Sequence, residues 1–187
     1  MPEPLKSGAT IGILGGGQLG RMLSVAAARL GFRCHIFEPG AAPPAAHTAH
    51  LLTTAAYEDS DALSRFAESV DVVTYEFENI PTEALDTIES IRTIRPGREA
   101  LRVSQDRLTE KAFLQDLGLR VAPFCNVGDA SSLAKALTDI GTPAILKTRR
   151  FGYDGKGQAR LSTPADAYPA LADMAGQPAI LEGFVDF

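Results

Sequence analysis

Short apolar runs alternate with stretches of helical period through the amino-terminal half of the chain. Ala9 to Leu14, Arg33 to Phe37 and Asp71 to Tyr75 have the length and composition of strands. Between them, Gln18 to Leu30 and Ser60 to Ser69 repeat apolar residues every three or four positions. This alternation predicts a parallel α/β unit. In the first helix Leu19, Met22, Leu23, Ala26 and Leu30 share one face, expected to be the core stripe, and Gly31 supplies the stop. A helix from Thr82 to Ser90 and a strand from Ile91 to Ile94 follow, and Pro39 to Ala49 reads as a loop rich in proline and alanine. Arg95-Pro96-Gly97 then breaks the pattern, which places a domain boundary at Pro96 and divides the chain into 1–96 and 97–187.

The second part has a different rhythm. Two helical stretches, Glu99 to Gln105 and Asp106 to Leu117, precede an extended run from Val121 to Val127. Asp129 or Ser131 is placed to cap a helix that ends near Ile140. Strands Ala144 to Thr148 and Gln158 to Leu161 flank a glycine-rich turn, and a helix from Pro164 to Met174 leads to a last strand, Ala179 to Glu182. An α+β unit with a hairpin at its glycine-rich turn is expected.

Composition narrows the function classes. A chain of 187 residues, 45% hydrophobic and 22% charged, is that of a folded globular protein. A net charge of -5 argues against a general nucleic-acid or anionic-membrane surface, so any polyanion binds at a local site. No apolar run is long enough to span a bilayer, Met1 to Thr10 lacks a signal core, and Cys34 and Cys125 read as reduced, packed thiols; these point to the cytoplasm. His35, His47 and His50 lack the neighbouring ligands of a metal site.

Three segments carry candidate chemistry. Gly15-Gly16-Gly17-Gln18-Leu19-Gly20 has the G-x-G-x-x-G spacing of a dinucleotide turn between strand and helix, with Glu38 placed to accept ribose hydroxyls. The same turn also serves another phosphate, or no ligand at all. The run from Lys147 to Gln158 sets two lysines and two arginines among glycines, which suits nucleotide phosphates, although it lacks Walker spacing. Tyr75-Glu76-Phe77-Glu78-Asn79-Ile80-Pro81 lies at the carboxyl end of a predicted parallel strand, where ligands gather. Glu76 and Glu78 would point to opposite sides of a continued strand, which disfavours a paired acid/base device and leaves one glutamate for a substrate hydroxyl or amine.

In this order, these strings together with Asp106-Arg107-Leu108-Thr109-Glu110-Lys111 resemble the ATP-grasp superfamily, and within it the 5-(carboxyamino)imidazole ribonucleotide synthases, over nearly the whole chain. The resemblance implies a Rossmann-like pre-ATP-grasp domain, a parallel sheet flanked by helices, followed by the start of an α+β ATP-grasp domain. It implies a ligase that uses ATP and bicarbonate to carboxylate 5-aminoimidazole ribonucleotide (AIR) in purine synthesis, by way of carboxyphosphate. ATP is then expected at Arg107, Lys147, Gly152, Tyr153, Asp154, Gly155, Lys156, Gly157 and Gln158, with Glu182, Gly183, Phe184 and Val185 as the hinge that reads adenine. AIR is expected at Gln18, Leu19, Glu76 and Tyr153.

No residue of this chain is singled out as catalytic. Family members continue past Phe187, and the ligands for Mg2+ are expected in that continuation, none within this chain. The chain alone is therefore expected to be inactive, its last strand from Ala179 to Val185 left without sheet neighbours, and the full-length protein to be a homodimer. Three other readings remain open. Formate-dependent glycinamide ribonucleotide transformylase shares the Rossmann-like start and the lysine loop, an NAD-dependent oxidoreductase explains only the first turn, and a noncatalytic nucleotide-binding fragment would associate with a partner chain.

Overall fold

Strands β1 (Thr10–Leu14), β2 (Arg33–Phe37), β3 (Leu51–Thr53) and β4 (Val72–Tyr75) form a parallel sheet in the order β3-β2-β1-β4. The computed structural model describes residues 4–152 and 155–186, and the chain divides into two compact units, Met1–Arg102 and Val103–Phe187, with this sheet in the first.

Successive residues of the strands feed opposite faces, and both faces are apolar, as parallel sheets require. Leu14, Phe37 and Val73 join Leu63, Phe66, Leu85 and Ile88 in one cluster, while Ile13, Cys34 and Ile36 join Ala27 and Ala45 in another. The first cluster is closed by α2 (Ser60–Glu68) and α3 (Thr82–Glu89). Helix α2 starts where Asp59 accepts the Ala62 N–H at 2.9 Å, satisfying one of the amides a helix leaves bare at its start.

Helix α1 (Gln18–Arg29) covers the other face by a different arc from the one its large residues predict. Gly20, Ser24 and Ala27 are buried, whereas Leu19, Met22 and Leu23 are 57%, 65% and 41% exposed and Leu30, just past the helix, is 71% exposed. Close approach is the reason. A Cβ at Gly20 would stand 2.8 Å from the Gly15 carbonyl, so only the small-residue face lets the helix lie against the turn. Expected strand Ile91 to Ile94 shrinks to one parallel bridge between Val73 and Ile94. The proline-rich loop holds a short 3₁₀ turn, Pro44–His47, before β3, a strand not expected from the sequence.

The division between the units falls inside α4 (Arg98–Ser104), a few residues beyond Pro96. The second unit contains α5 (Arg107–Asp116), β5 (Phe124–Val127), α6 (Ala130–Ile140), β6 (Ala144–Thr148), β7 (Gln158–Leu161), α7 (Ala167–Asp173) and β8 (Ala179–Gly183). Its strands form an antiparallel sheet in the order β5-β8-β6-β7, with β6 and β7 joined as the expected hairpin. Asp129, not Ser131, caps α6, in a reciprocal box with Ser132. Strand β8 corrects the expectation of an orphaned edge: it lies between β5 and β6, paired on both sides, because β5 returns to it from Phe124 to Val127. Leu133, Ala136, Leu146, Leu161, Ala170 and Leu181 fill the core beneath the sheet.

Candidate functional site

In the first unit the glycine turn is closed by the chain's own carboxylates. Gly15 holds φ at +101°, a conformation glycine reaches without penalty, and its N–H returns to Phe37 O. Gly16 N–H donates to Glu38 Oε2 at 2.8 Å, and Gly17 N–H donates to Glu76 Oε1 at 2.8 Å. The other oxygen of Glu38 accepts the Gly40 N–H at 3.1 Å. The missing side chains of these glycines make room for those acids: a Cβ would meet Glu76 at 2.8 Å from Gly15 and at 3.0 Å from Gly17, and Pro43 at 2.5 Å from Gly16. Glu38 therefore serves the turn itself, where a dinucleotide site would offer an acid to a ribose and bare amides to a pyrophosphate. Tyr57 stacks on Phe37 beside these acids, and its phenol is pushed well above the ordinary range by burial and then by the charges of Glu38 and Glu76.

Beyond the two occupied amides, Gln18 and Leu19 open α1 on its exposed side. Glu78 accepts from Asn79 Nδ2 at 3.0 Å and, among the described residues, bonds to none of the turn glycines. Strand β4 ends at Tyr75, so the two glutamates do not continue its alternation.

In the second unit the expected nucleotide residues fall into two groups. Around the glycine-rich hairpin, Arg107 donates from one nitrogen to Thr148 O at 2.8 Å and from another to Gly152 O at 2.7 Å, so its guanidinium ties the two ends of β6's exit together. Gly155, Lys156, Gly157 and Gln158 are exposed along the return into β7, and the Gly157 carbonyl accepts from Thr148 N–H at 2.8 Å. Tyr153 and Asp154 lie outside the described residues.

The second group is a charge cluster on the sheet. Lys147 on β6 donates to Glu182 Oε2 on β8 at 2.9 Å, and Lys111 on α5 reaches the same oxygen at 3.2 Å. Glu182 is 6% exposed, and its other oxygen, Oε1, is buried without a partner among the described residues. Gly183 ends β8, and Phe184 and Val185 follow it exposed, Phe184 under the Arg160 guanidinium at 4.5 Å.

Two features went unassigned in the sequence. Lys111 lies four residues after Arg107 on α5, a spacing that puts both on one helix face and was the available signal. Asp106 caps α5 through Leu108 and Thr109 and binds Arg149 at 2.7 Å. Burial works to raise the Asp106 carboxyl, but the Arg149 hydrogen bond and charge and the two amides outweigh it and hold it below its ordinary value.

Among the described residues no helix is long and apolar enough to cross a membrane, and no group of three or more His, Cys, Asp or Glu is placed to hold a metal ion.

Comparison with known proteins agrees with both units. The family described as ribonucleotide synthetase preATP-grasp domain matches residues 8–105, and the ATP-grasp domain family matches residues 112–187. The chain is similar to the N5-carboxyaminoimidazole ribonucleotide synthase of Brucella melitensis biotype 1, 51% identical over 185 residues, covering 98% of this chain and 51% of the relative. It superposes with a TM-score of 0.94 on the ADP complex of an N5-carboxyaminoimidazole ribonucleotide synthetase, 39% identical, covering 100% of this chain and 50% of that one. The Aspergillus clavatus enzyme, solved with ADP and 5-aminoimidazole ribonucleotide, is matched at a TM-score of 0.83 and 29% identity over 97% of this chain and 48% of that one. The chain thus spans about half the length of the curated relatives it matches. Since the first of these families accounts for more than half of the chain and the relatives run through both units, the chain belongs to the ribonucleotide synthetase preATP-grasp family, with an ATP-grasp segment after that domain.

Proposed function

We propose that this chain is the amino-terminal part of a ligase that carboxylates 5-aminoimidazole ribonucleotide with ATP and bicarbonate, giving N5-carboxyaminoimidazole ribonucleotide. The observation that carries the reading is the Lys147–Glu182–Lys111 cluster beside the glycine-rich hairpin. Two ammonium groups share one carboxylate oxygen, leaving a surplus of positive charge for a polyphosphate, while the bare Glu182 Oε1 requires a donor such as the amino group of adenine. The names of the relatives, and the ADP and ribonucleotide in their solved complexes, support the same assignment.

In the reaction, a bicarbonate oxygen attacks the γ-phosphorus, the bond to the β-phosphate oxygen breaks, and ADP leaves carboxyphosphate behind. The exocyclic amine of AIR then attacks its carbon, phosphate departs, and the amine loses a proton. Lys147 neutralises charge on the nucleotide phosphates, and the hairpin from Gly152 to Gln158 covers them, sparing carboxyphosphate from water. Arg107 anchors that hairpin through its two carbonyl contacts and faces the phosphates from its base. Glu182 to Val185 hold the adenine.

AIR is assigned to the first unit. With Gly16 and Gly17 already bonded to carboxylates, the amides of Gln18 and Leu19 are the next at the start of α1, where an anion is favoured, and they suit the ribonucleotide phosphate. Glu76, fixed by Gly17, offers its remaining oxygen to the substrate. Glu182 is committed to two lysines, and Mg2+ is assigned to the part of the relatives that this chain does not span. The cytoplasm is assigned from the composition and a homodimer from the family alone.

The test is ADP release by the full-length protein with ATP, magnesium and bicarbonate, with and without AIR. AIR-dependent turnover is expected, reduced about 100-fold or more in Lys147→Met. Turnover with glycinamide ribonucleotide and formate, and none with AIR, would overturn the assignment.

A further inference from the structure

Lys111 adds to the positive charge of the cluster, but the proposed reaction gives it no contact of its own with a substrate. It stands on α5, whereas Lys147 and Glu182 stand on neighbouring strands of the sheet, and both ammonium groups bind the same oxygen, Glu182 Oε2, at 3.2 Å and 2.9 Å. Their side chains are 18% and 22% exposed and that of Glu182 is 7% exposed. Crowding two cations on one oxygen while the other stays bare is an unusual use of a buried carboxylate, which ordinarily spreads its four acceptor sites over its donors.

The arrangement makes sense if one of the two lysines is able to leave. Lys147 precedes Thr148 and the glycine-rich hairpin, so a polyphosphate seated there draws Lys147 toward itself. A carboxylate abandoned by its only cation in a buried site is strongly destabilised and would turn toward any other donor. With Lys111 in place it keeps a partner on Oε2, and Oε1 stays where it was. We infer that Lys111 is a positioning residue: it holds Glu182 after Lys147 moves to the nucleotide phosphates, so that Oε1 still accepts from a purine amino group and discriminates ATP from a 6-oxo purine nucleotide. This rests on the reading of Glu182 as the adenine acceptor. A plain strut, tying α5 to the sheet, would use the same ion pair without affecting which base is bound.

Nucleotide specificity separates the two roles. Affinities for ATP and GTP are measured by titration calorimetry on the full-length protein, as wild type, Lys111→Met and Lys111→Arg, with thermal unfolding alongside. Wild type is expected to prefer ATP by about 100-fold. Lys111→Met is expected to weaken ATP about 10-fold or more while leaving GTP nearly unchanged, which cuts the preference to about 10-fold or less, and Lys111→Arg to restore most of it. Lys111→Gln, which keeps a donor without the charge, carries the same comparison should Lys111→Met fail to fold. A variant that melts earlier yet keeps the wild-type ATP to GTP ratio would show Lys111 to be a strut and overturn the inference alone. A wild-type protein with no preference between ATP and GTP, or no affinity for ATP, would instead overturn the reading of Glu182, and the inference with it.

Discussion

Gly157 shows how much one residue contributes to the nucleotide hairpin. It holds φ at +67°, and a Cβ there would stand 2.6 Å from Thr148 Oγ1 and 3.3 Å from its methyl group. Gly118, at the end of α5, holds φ at +79° with nothing within 4 Å of the same position. Backbone strain is common to the two, and the steric clash belongs only to Gly157. Alanine at Gly118 is thus expected to cost about 1 kcal/mol, and alanine at Gly157 about 2–3 kcal/mol, read as the loss in urea-unfolding free energy of the second unit. Equal losses at the two sites would mean that Thr148 yields freely. Whether a glycine's φ is positive cannot be seen in the letters, but a glycine two residues past another, between strands that must pair, was a fair sign. What the sequence did not disclose was the partner: Glu38 looked placed for a ribose and instead accepts the amides of Gly16 and Gly40.

Among the elements, β2 is tied to β3 and α2 through a single side chain. His35 pairs with Thr53 Oγ1 and Ser69 Oγ, each at 2.8 Å, and meets the Phe66 ring edge-on at 4.9 Å. Burial, and after it the charge of His50, holds its pKa below the ordinary 6.5. The unfolded chain therefore binds the proton more readily than the folded one. The contribution of His35 is complete above pH 6.5 and is lost as the pH falls through the lowered folded value. Urea midpoints of the first unit are expected to drop over this acid range in wild type. In His35→Asn the unfolding free energy should start lower by about 1–2 kcal/mol and the midpoints decline less, and a parallel decline in the two would remove His35 from the titration. Elements of this kind were unevenly legible. The long apolar strands and the hairpin stood out by period, whereas β3, only three residues with two polar neighbours, gave no periodic signal. Helix α1 was found but turned the wrong way, because side-chain bulk suggests a buried face and here closeness to the Gly15 carbonyl decides it.

For the molecule as a whole, a parallel α/β unit followed by an α+β unit with a hairpin was written into the change of rhythm along the chain, and the order of motifs carried the family. The pairing of Lys111 with Glu182 was not, since it joins residues far apart in the chain, and no local pattern reports on such contacts. Fold-level resemblance also misleads in one respect, and the glycine turn makes the point. Its three glycines are hemmed in by Glu76, Glu38 and Pro43 of the same chain. Variants drawn at random and sorted only for correct folding should therefore reject substitutions at Gly15 and Gly16 as firmly as variants sorted for catalysis. At these positions intolerance is a measure of how the protein is assembled, and a mutational map that equated it with ligand contact would place the ribonucleotide one turn too early.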